Sequence, residues 1–532
     1  MRRSLRSIVA LSLIVCILCS GCGMIGGLWG NRLVSYEQME YTRPDMVAFA
    51  AVLEESCSIA LQENNIRDLE SAIWDFYAVY DDFYTNFSLA MIAYSRDLTD
   101  IYWEEEYSYC TSQSATVDAG LDRLYRCLAQ SPLRNTLEGE DYFGADYFDS
   151  FEGESVYDQH LTDLLEQEAL LRAQYQSITA AATDVEYYSD AYFTQYGSQM
   201  EQLYLDLVMM RQEISSYLGY EDYLSFAYEF YHIRDYTPQQ AMAYLADVRA
   251  ELVPLYCRVA ESGFWSRELE ASTEEDSFRY VKSMAQNMGG TVAKAFSDMA
   301  SAGVYDISYG ENKYPASFEL YLTTYYTPYI FLSPTGTSYD KLTFAHEFGH
   351  FCSDYVVAGG SMQSVDVAEI FSQAMEYFSI LYAEDSGDLK QLKMADCLSV
   401  FVEQAAYASF EHQVYLLPPE ELTVESIRAL YEQICIGYGL DTLTWDGRDY
   451  VCIPHFFENP LYLISYVISN DAALQLYQME LSEPGSGIVW FEENLASAQP
   501  YFLAFVEEAG LESPFATGRL IRVRQTLEEV LQ

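Results

Sequence analysis

The chain has 532 residues, half of them hydrophobic and 15% aromatic, enough for two or three lobes with sizeable cores and too apolar for global disorder. Its 28 Lys and Arg stand against 81 Asp and Glu, a formal net charge of -53, which argues against nucleic-acid binding and against basic patches on an anionic membrane. Such acidity serves solubility first, with attraction of cationic peptides as a second expectation.

Arg2, Arg3 and Arg6 precede the apolar run from Ile8 to Leu18, which is too short to span a bilayer and suits a secretory leader. Leu18-Cys19-Ser20-Gly21-Cys22 resembles a bacterial lipobox, with Cys19 where Leu is usual, and Gly23, Gly26, Gly27 and Gly30 follow. The expected organisation is a leader over 1–21, a lipidated Cys22 and flexible tether over 22–45, then the body. That places the body on the extracytoplasmic face of a bacterial membrane; a secreted protein cut elsewhere is the alternative. Cys57, Cys110, Cys127, Cys257, Cys352, Cys397, Cys435 and Cys452 are scattered without a CxxC pair, so they read as buried small side chains rather than a zinc-thiolate site.

The body reads as helical. Met46, Phe49, Leu53, Cys57 and Ala60 step by three and four along one face, as do Leu203, Leu207, Met210, Ile214 and Tyr217, with Gly219 as a stop. Thr237-Pro238 starts a further helix carrying Ala241, Leu245, Val248 and Leu252. The stretch from Glu138 to Glu154 holds seven acids and no Lys or Arg, and is expected to be an exposed acidic loop. Strand signals are confined to 317–333, where Phe318, Leu320 and Leu322 alternate with polar partners and Tyr329-Ile330-Phe331-Leu332 follows Pro328.

The chemistry is concentrated at His346-Glu347-Phe348-Gly349-His350. On a helix both imidazoles share a face and reach one metal ion, while Glu347 is offset and suited to act as a base towards water. Asp340 or Ser338 is positioned to cap this helix. A hydrolytic zinc site needs a third protein ligand. Glu369 offers it, with 18 residues between it and His350, on a second helix after a turn at Gly359-Gly360, and Asp366 is the alternative. Glu376, seven positions on from Glu369, lies on the same face and is suited to orient a ligand.

Three passages resemble the thimet oligopeptidase and oligoendopeptidase F family of zinc metallopeptidases. They are Pro328 to Thr337 running into the His346–His350 motif, Ala368-Glu369-Ile370-Phe371-Ser372 with Glu376, and Ile453-Pro454-His455-Phe456-Phe457 followed by Tyr462 and Tyr466. The resemblance spans about 210 to 480 and departs in a shorter loop between His350 and Glu369. It implies a mainly α fold, two helical lobes flanking a deep channel, with a small β element beside the metal helix. It also implies one zinc ion on His346, His350 and Glu369, Glu347 as general base, and His455 with Tyr462 or Tyr466 steadying the oxyanion. Tyr329, Ile330 and Phe331 would pair with extended substrate backbone.

The sequence thus points to a lipid-anchored zinc oligoendopeptidase acting on short unstructured peptides, with a helical region over 46–230 and a catalytic region over 231–532. Another glutamate-ligand zinc peptidase of aminopeptidase type is one rival, although no GxMEN-type motif is present. A catalytically idle peptide-binding lipoprotein is the other, against which the intact Glu347 speaks.

Overall fold

The computed structural model describes residues 33–531 apart from 63, 140–141, 154, 183–188, 358–359, 361–362, 388 and 441–446. The leader and Cys22 lie outside the described residues. Helices dominate, as expected, and begin with a three-helix unit of α1 (Met46–Gln62), α2 (Ile66–Arg96) and α3 (Ile101–Ala129). Asn65 caps α2 by accepting from Arg67 N–H, and Asp100 caps α3 by accepting from Tyr102 and Trp103. The expected stripe on α1 is buried at Phe49, Leu53, Cys57 and Ala60, and it packs on Phe76, Tyr80, Leu121 and Tyr125.

The described acids Asp146, Asp149 and Glu152 of the segment 138–154 are exposed, as their charge suggests, but the segment is also pinned to the core. Tyr147–Phe151 forms a 3-10 turn that buries Phe148 and Phe151 against Tyr125. Arg134, just upstream, bonds Glu138 at 3.2 Å and Asp149 and Glu152 at 2.5 Å each, so three of the acids gather around one cation.

A second, larger core runs from Leu89 to Leu527 and includes α4 (Gln159–Ala181) and α5 (Ser198–Tyr217). The described cores therefore overlap along the 31-residue α2, which enters the first with Leu69 to Phe83 and the second with Leu89 to Tyr94. Helix Pro238–Glu251 starts at Thr237 with a capping box to Gln240, and Gly219 takes a φ of 84° after α5. Six of the eight described cysteines are buried. No helix among the described residues is long and apolar enough to cross a membrane.

The β element has three strands, one more than the sequence suggests: β1 (Tyr305–Asp306), β2 (Phe318–Leu322) and β3 (Thr327–Phe331), in the order β1-β3-β2. β1 pairs parallel with β3 at Ile330 and Phe331, and β2 pairs antiparallel along its length. This corrects the expectation for Tyr329, Ile330 and Phe331. They form the central strand, paired on both sides and fully buried, so they offer no edge to a peptide. Tyr329 is instead a structural anchor whose hydroxyl accepts from Arg96 of α2 at 2.6 Å. The edge strands are β1 and β2, and of these β2 packs beside the metal-motif helix.

That helix, α6 (Asp340–Val356), lies against α7 (Val365–Tyr382), and α7 packs on a third helix, Leu463–Ser482. Phe344, Ala345, Phe348, Phe351 and Cys352 make α6 a core helix on its apolar faces. Asp340, its first residue, accepts from the backbone N–H groups of Thr335, Gly336 and Thr337, tying the preceding loop to the helix start rather than capping it from outside. The contact of α6 with α7 is closest at Gly349, where an added Cβ would come within 2.5 Å of the Ser372 Cα and 2.7 Å of the Phe371 carbonyl oxygen. Both are backbone atoms and cannot move aside cheaply. Gly349→Ala is therefore expected to destabilise the fold by about 1–3 kcal/mol, the cost of overpacking a rigid contact. Urea denaturation measures this, and an unchanged midpoint would show that the two helices have room to spare.

Candidate metal centre and its surroundings

Helix periodicity puts His346 and His350 on one face of α6, and the close approach at Gly349 brings that face to Glu369 on α7. His346 Nε2 lies 3.4 Å from Glu369 Oε2, and His350 Nε2 lies 3.6 Å from Glu369 Oε1. The three candidate ligand atoms are all within 4.8 Å of one another. Two imidazoles and a carboxylate converging in this way fit zinc, whose hydrolytic sites use three N/O protein ligands with a fourth position open.

The surrounding residues hold each donor in place. Glu369, 1% exposed, accepts from the Ser372 hydroxyl at 2.8 Å and from the Tyr462 hydroxyl at 2.6 Å. Burial pushes its carboxyl up, but the charge of the two nearby imidazoles, with the hydrogen bond from Tyr462, brings it down to about 2. Glu376 meets His346 as the sequence suggests: Nδ1 donates to its Oε1 at 2.8 Å, leaving Nε2 directed towards Glu369. Behind Glu376 stands Lys393, which no sequence pattern singles out. It is 1% exposed and bonds Glu376 at 2.6 Å and Asp396 at 2.9 Å, and Asp396 in turn accepts from the Tyr339 hydroxyl at 2.7 Å.

Glu347 is 6% exposed and sits beside the triad; burial raises its carboxyl, with the two imidazoles opposing. Asp366 is removed from the list of candidate ligands. Its carboxylate is paired with Arg234, both side chains being fully buried, and accepts from Tyr236 at 2.9 Å and Ser465 at 2.5 Å. The turn residue Gly360 has a φ of 87°, whereas Gly359 lies outside the described residues.

The third expected passage also arrives at the site. His455, on the short helix Pro454–Glu458, shares a 3.2 Å hydrogen bond between Nε2 and the Tyr466 hydroxyl. Burial lowers its imidazole to about 4, so the ring is neutral at neutral pH. Tyr462 and Tyr466 have ring centroids 5.3 Å apart, and Tyr466 is 6.3 Å from the His346 ring. Leu461 holds Tyr462 in position from an unusual φ of 63°. Its N–H donates to Glu411 and its carbonyl accepts from Arg234, each at 2.9 Å, so the strained residue is fixed on both sides.

Residues 36–155 match the family model for the Peptidase M3 N-terminal domain. No curated protein matches the sequence. Among solved structures, a putative oligoendopeptidase F superposes with a TM-score of 0.82 at 21% identity, covering 94% of this chain and 98% of that one. PZ peptidase A with an inhibitor gives 0.82 at 20% identity over 93% and 98%, respectively. A putative oligoendopeptidase F from Bacillus anthracis str. Ames gives 0.77 at 20% identity over 94% and 98%. At these identities the likeness shows a shared fold across nearly the whole chain.

Lys393→Met would leave Glu376 and Asp396 with no buried cation, and the fold should lose about 3–5 kcal/mol. Zinc affinity, read by competition with a chromogenic chelator, should fall about 10–100-fold because His346 loses its fixed orientation. Wild-type zinc affinity in this variant would mean that Glu376 steers His346 without Lys393.

Proposed function

We propose that this protein is a zinc-dependent oligoendopeptidase of the M3 type that cuts internal bonds of short, unstructured peptides. The observation that carries the reading is the convergence of His346, His350 and Glu369 with Glu347 adjacent on the same helix. The Peptidase M3 match over 36–155 and the oligoendopeptidase F fold support it from outside the site. An ion held by the three residues would polarise the scissile carbonyl and acidify a water. Glu347, its carboxyl raised by burial, takes the proton from that water and returns it to the leaving amine. Tyr466 and neutral His455 are the hydrogen-bonding groups beside the ligands suited to steady charge developing on the carbonyl oxygen, whereas the Tyr462 hydroxyl is given to Glu369. The peptide backbone, excluded from β3, has the free edge of β2 for strand addition.

The sequence before residue 33 supports export and anchorage through Cys22 on the outer face of a bacterial membrane. The net charge supports a preference for cationic peptides at low salt. Cys22→Ser should move the protein out of the membrane fraction; continued detergent-dependent partitioning would refute the anchor.

Two sets of variants test the chemistry together. His346→Ala should lose the metal, whereas Glu347→Gln should retain one zinc per chain and lose about 10²–10⁴ in turnover. Tyr466→Phe should lower kcat by about 10²–10³ with little change in peptide affinity, as expected for a donor used mainly in the transition state. Metal analysis and mass spectrometry of peptide digests read both sets. Near-wild-type cleavage by Glu347→Gln would remove the base assignment.

A further inference from the structure

Next to the metal centre lies a cavity of about 430 Å³ that the chemistry above does not use. Tyr462 belongs to both places, donating to Glu369 and lining the cavity. Phe87 of α2, Leu161 of α4, Ile214 of α5, Phe226 and Phe230 make much of its wall apolar. Its size and its mixture of apolar wall and polar groups are those of a ligand pocket.

The charged groups of the lining are Asp118, Glu168, Arg172 and Arg211, and three of them are engaged. Asp118 accepts from the hydroxyls of Tyr80 at 3.2 Å and Tyr84 at 2.5 Å. Glu168 accepts from Arg172 Nε at 2.9 Å and Arg211 at 3.0 Å. Arg211, 1% exposed, spends its outer nitrogens on Tyr415, the Phe456 carbonyl and the Phe457 carbonyl. Arg172 differs. Its side chain is 35% exposed, only Nε is used, and among the described residues no acceptor meets Nη1 or Nη2. Glu458, close enough to influence Arg172, is itself bound by Gln176 and the Tyr314 hydroxyl. Glu168 is thus the one carboxylate hydrogen-bonded to both guanidinium groups, and the outer nitrogens of Arg172 belong to the lining of a largely apolar cavity that Tyr462 shares with the metal ligands.

We propose that this cavity is a subsite for a carboxylate of the bound peptide, held by the outer nitrogens of Arg172. The carboxylate is the C-terminal one of a short peptide or the side chain of an Asp or Glu. The guanidinium fork matches a carboxylate geometrically, Glu168 already fixes its plane, and the apolar wall strengthens the pair by excluding water. The inference rests on the peptidase reading for what enters the cavity. It also runs against the field of the whole chain, whose charge of -53 repels acidic peptides at long range. A carboxylate would be accepted here only because a local partner is built for it.

The test uses three peptides of one length: an acid-free sequence with a free C-terminus, its C-terminal amide, and the amide carrying a single Glu. Binding is read by calorimetry on the zinc-loaded Glu347→Gln protein, with and without Arg172→Gln or Arg172→Lys, after melting curves confirm that each variant is folded. One or both carboxylate-bearing peptides should bind about 10–100-fold tighter than the neutral amide, the range for a charge-assisted hydrogen bond. Arg172→Gln should abolish that advantage and Arg172→Lys restore part of it. The responding peptide identifies the C-terminal or the side-chain carboxylate. Equal binding of all three, or an equal loss for all three in Arg172→Gln, would overturn the subsite. Failure of the wild-type protein to cut any peptide would overturn the peptidase reading separately, since carboxylate selectivity is measured without turnover.

Discussion

Helices α6 and α7 approach each other as closely as they do because residue 349 has no side chain. An added Cβ would meet the backbone of Phe371 and Ser372, and Glu369 lies less than one turn from that contact. His346 and His350 flank the same point on the opposite helix. A wider spacing would carry Glu369 away from both imidazoles, and the set of three donors would no longer converge. The remainder of the molecule reinforces this contact, with Tyr377 donating to Asn470 and Ser469 to the Asp366 carbonyl across the third helix.

The second constraint is charge. Glu347, Glu369 and Glu376 are buried together, and a low-dielectric interior does not tolerate three uncompensated carboxylates. The chain supplies Lys393 behind Glu376 and two imidazoles in front of Glu369, which draw its carboxyl down to about 2 despite burial. A divalent cation held at the three donors would supply the remaining compensation. The same economy appears at Asp366, where Arg234 neutralises a carboxylate and also holds the Leu461 carbonyl that positions Tyr462.

Much of this was legible in the residue pattern, for physical reasons that can be named. The apolar stripe of α1 and the Thr237-Pro238 start depend on local spacing and capping, and both appear as read. The clustering of His346, His350 and Glu369 follows from helical periodicity and one turn. Other features depend on contacts that a single chain does not display. Gly349 reads as any helix glycine until the neighbouring backbone is in place. Lys393 sits in an ordinary amphipathic segment, and only the fold shows that it is buried. The unbroken apolarity of Tyr329 to Phe331 marks a strand covered on both faces, but whether its edges are paired depends on β1 and β2, which only the fold brings alongside. In the 138–154 segment, counting acids hid the buried Phe148 and Phe151 and the role of Arg134 outside the window.

The most direct test of the metal centre is anomalous diffraction at the zinc absorption edge from crystals of the zinc-loaded protein. The account predicts one strong peak at a point shared by His346, His350 and Glu369, about 2.0–2.2 Å from each ligand atom. Zinc located elsewhere, or a saturated crystal with no peak between these three side chains, would contradict it.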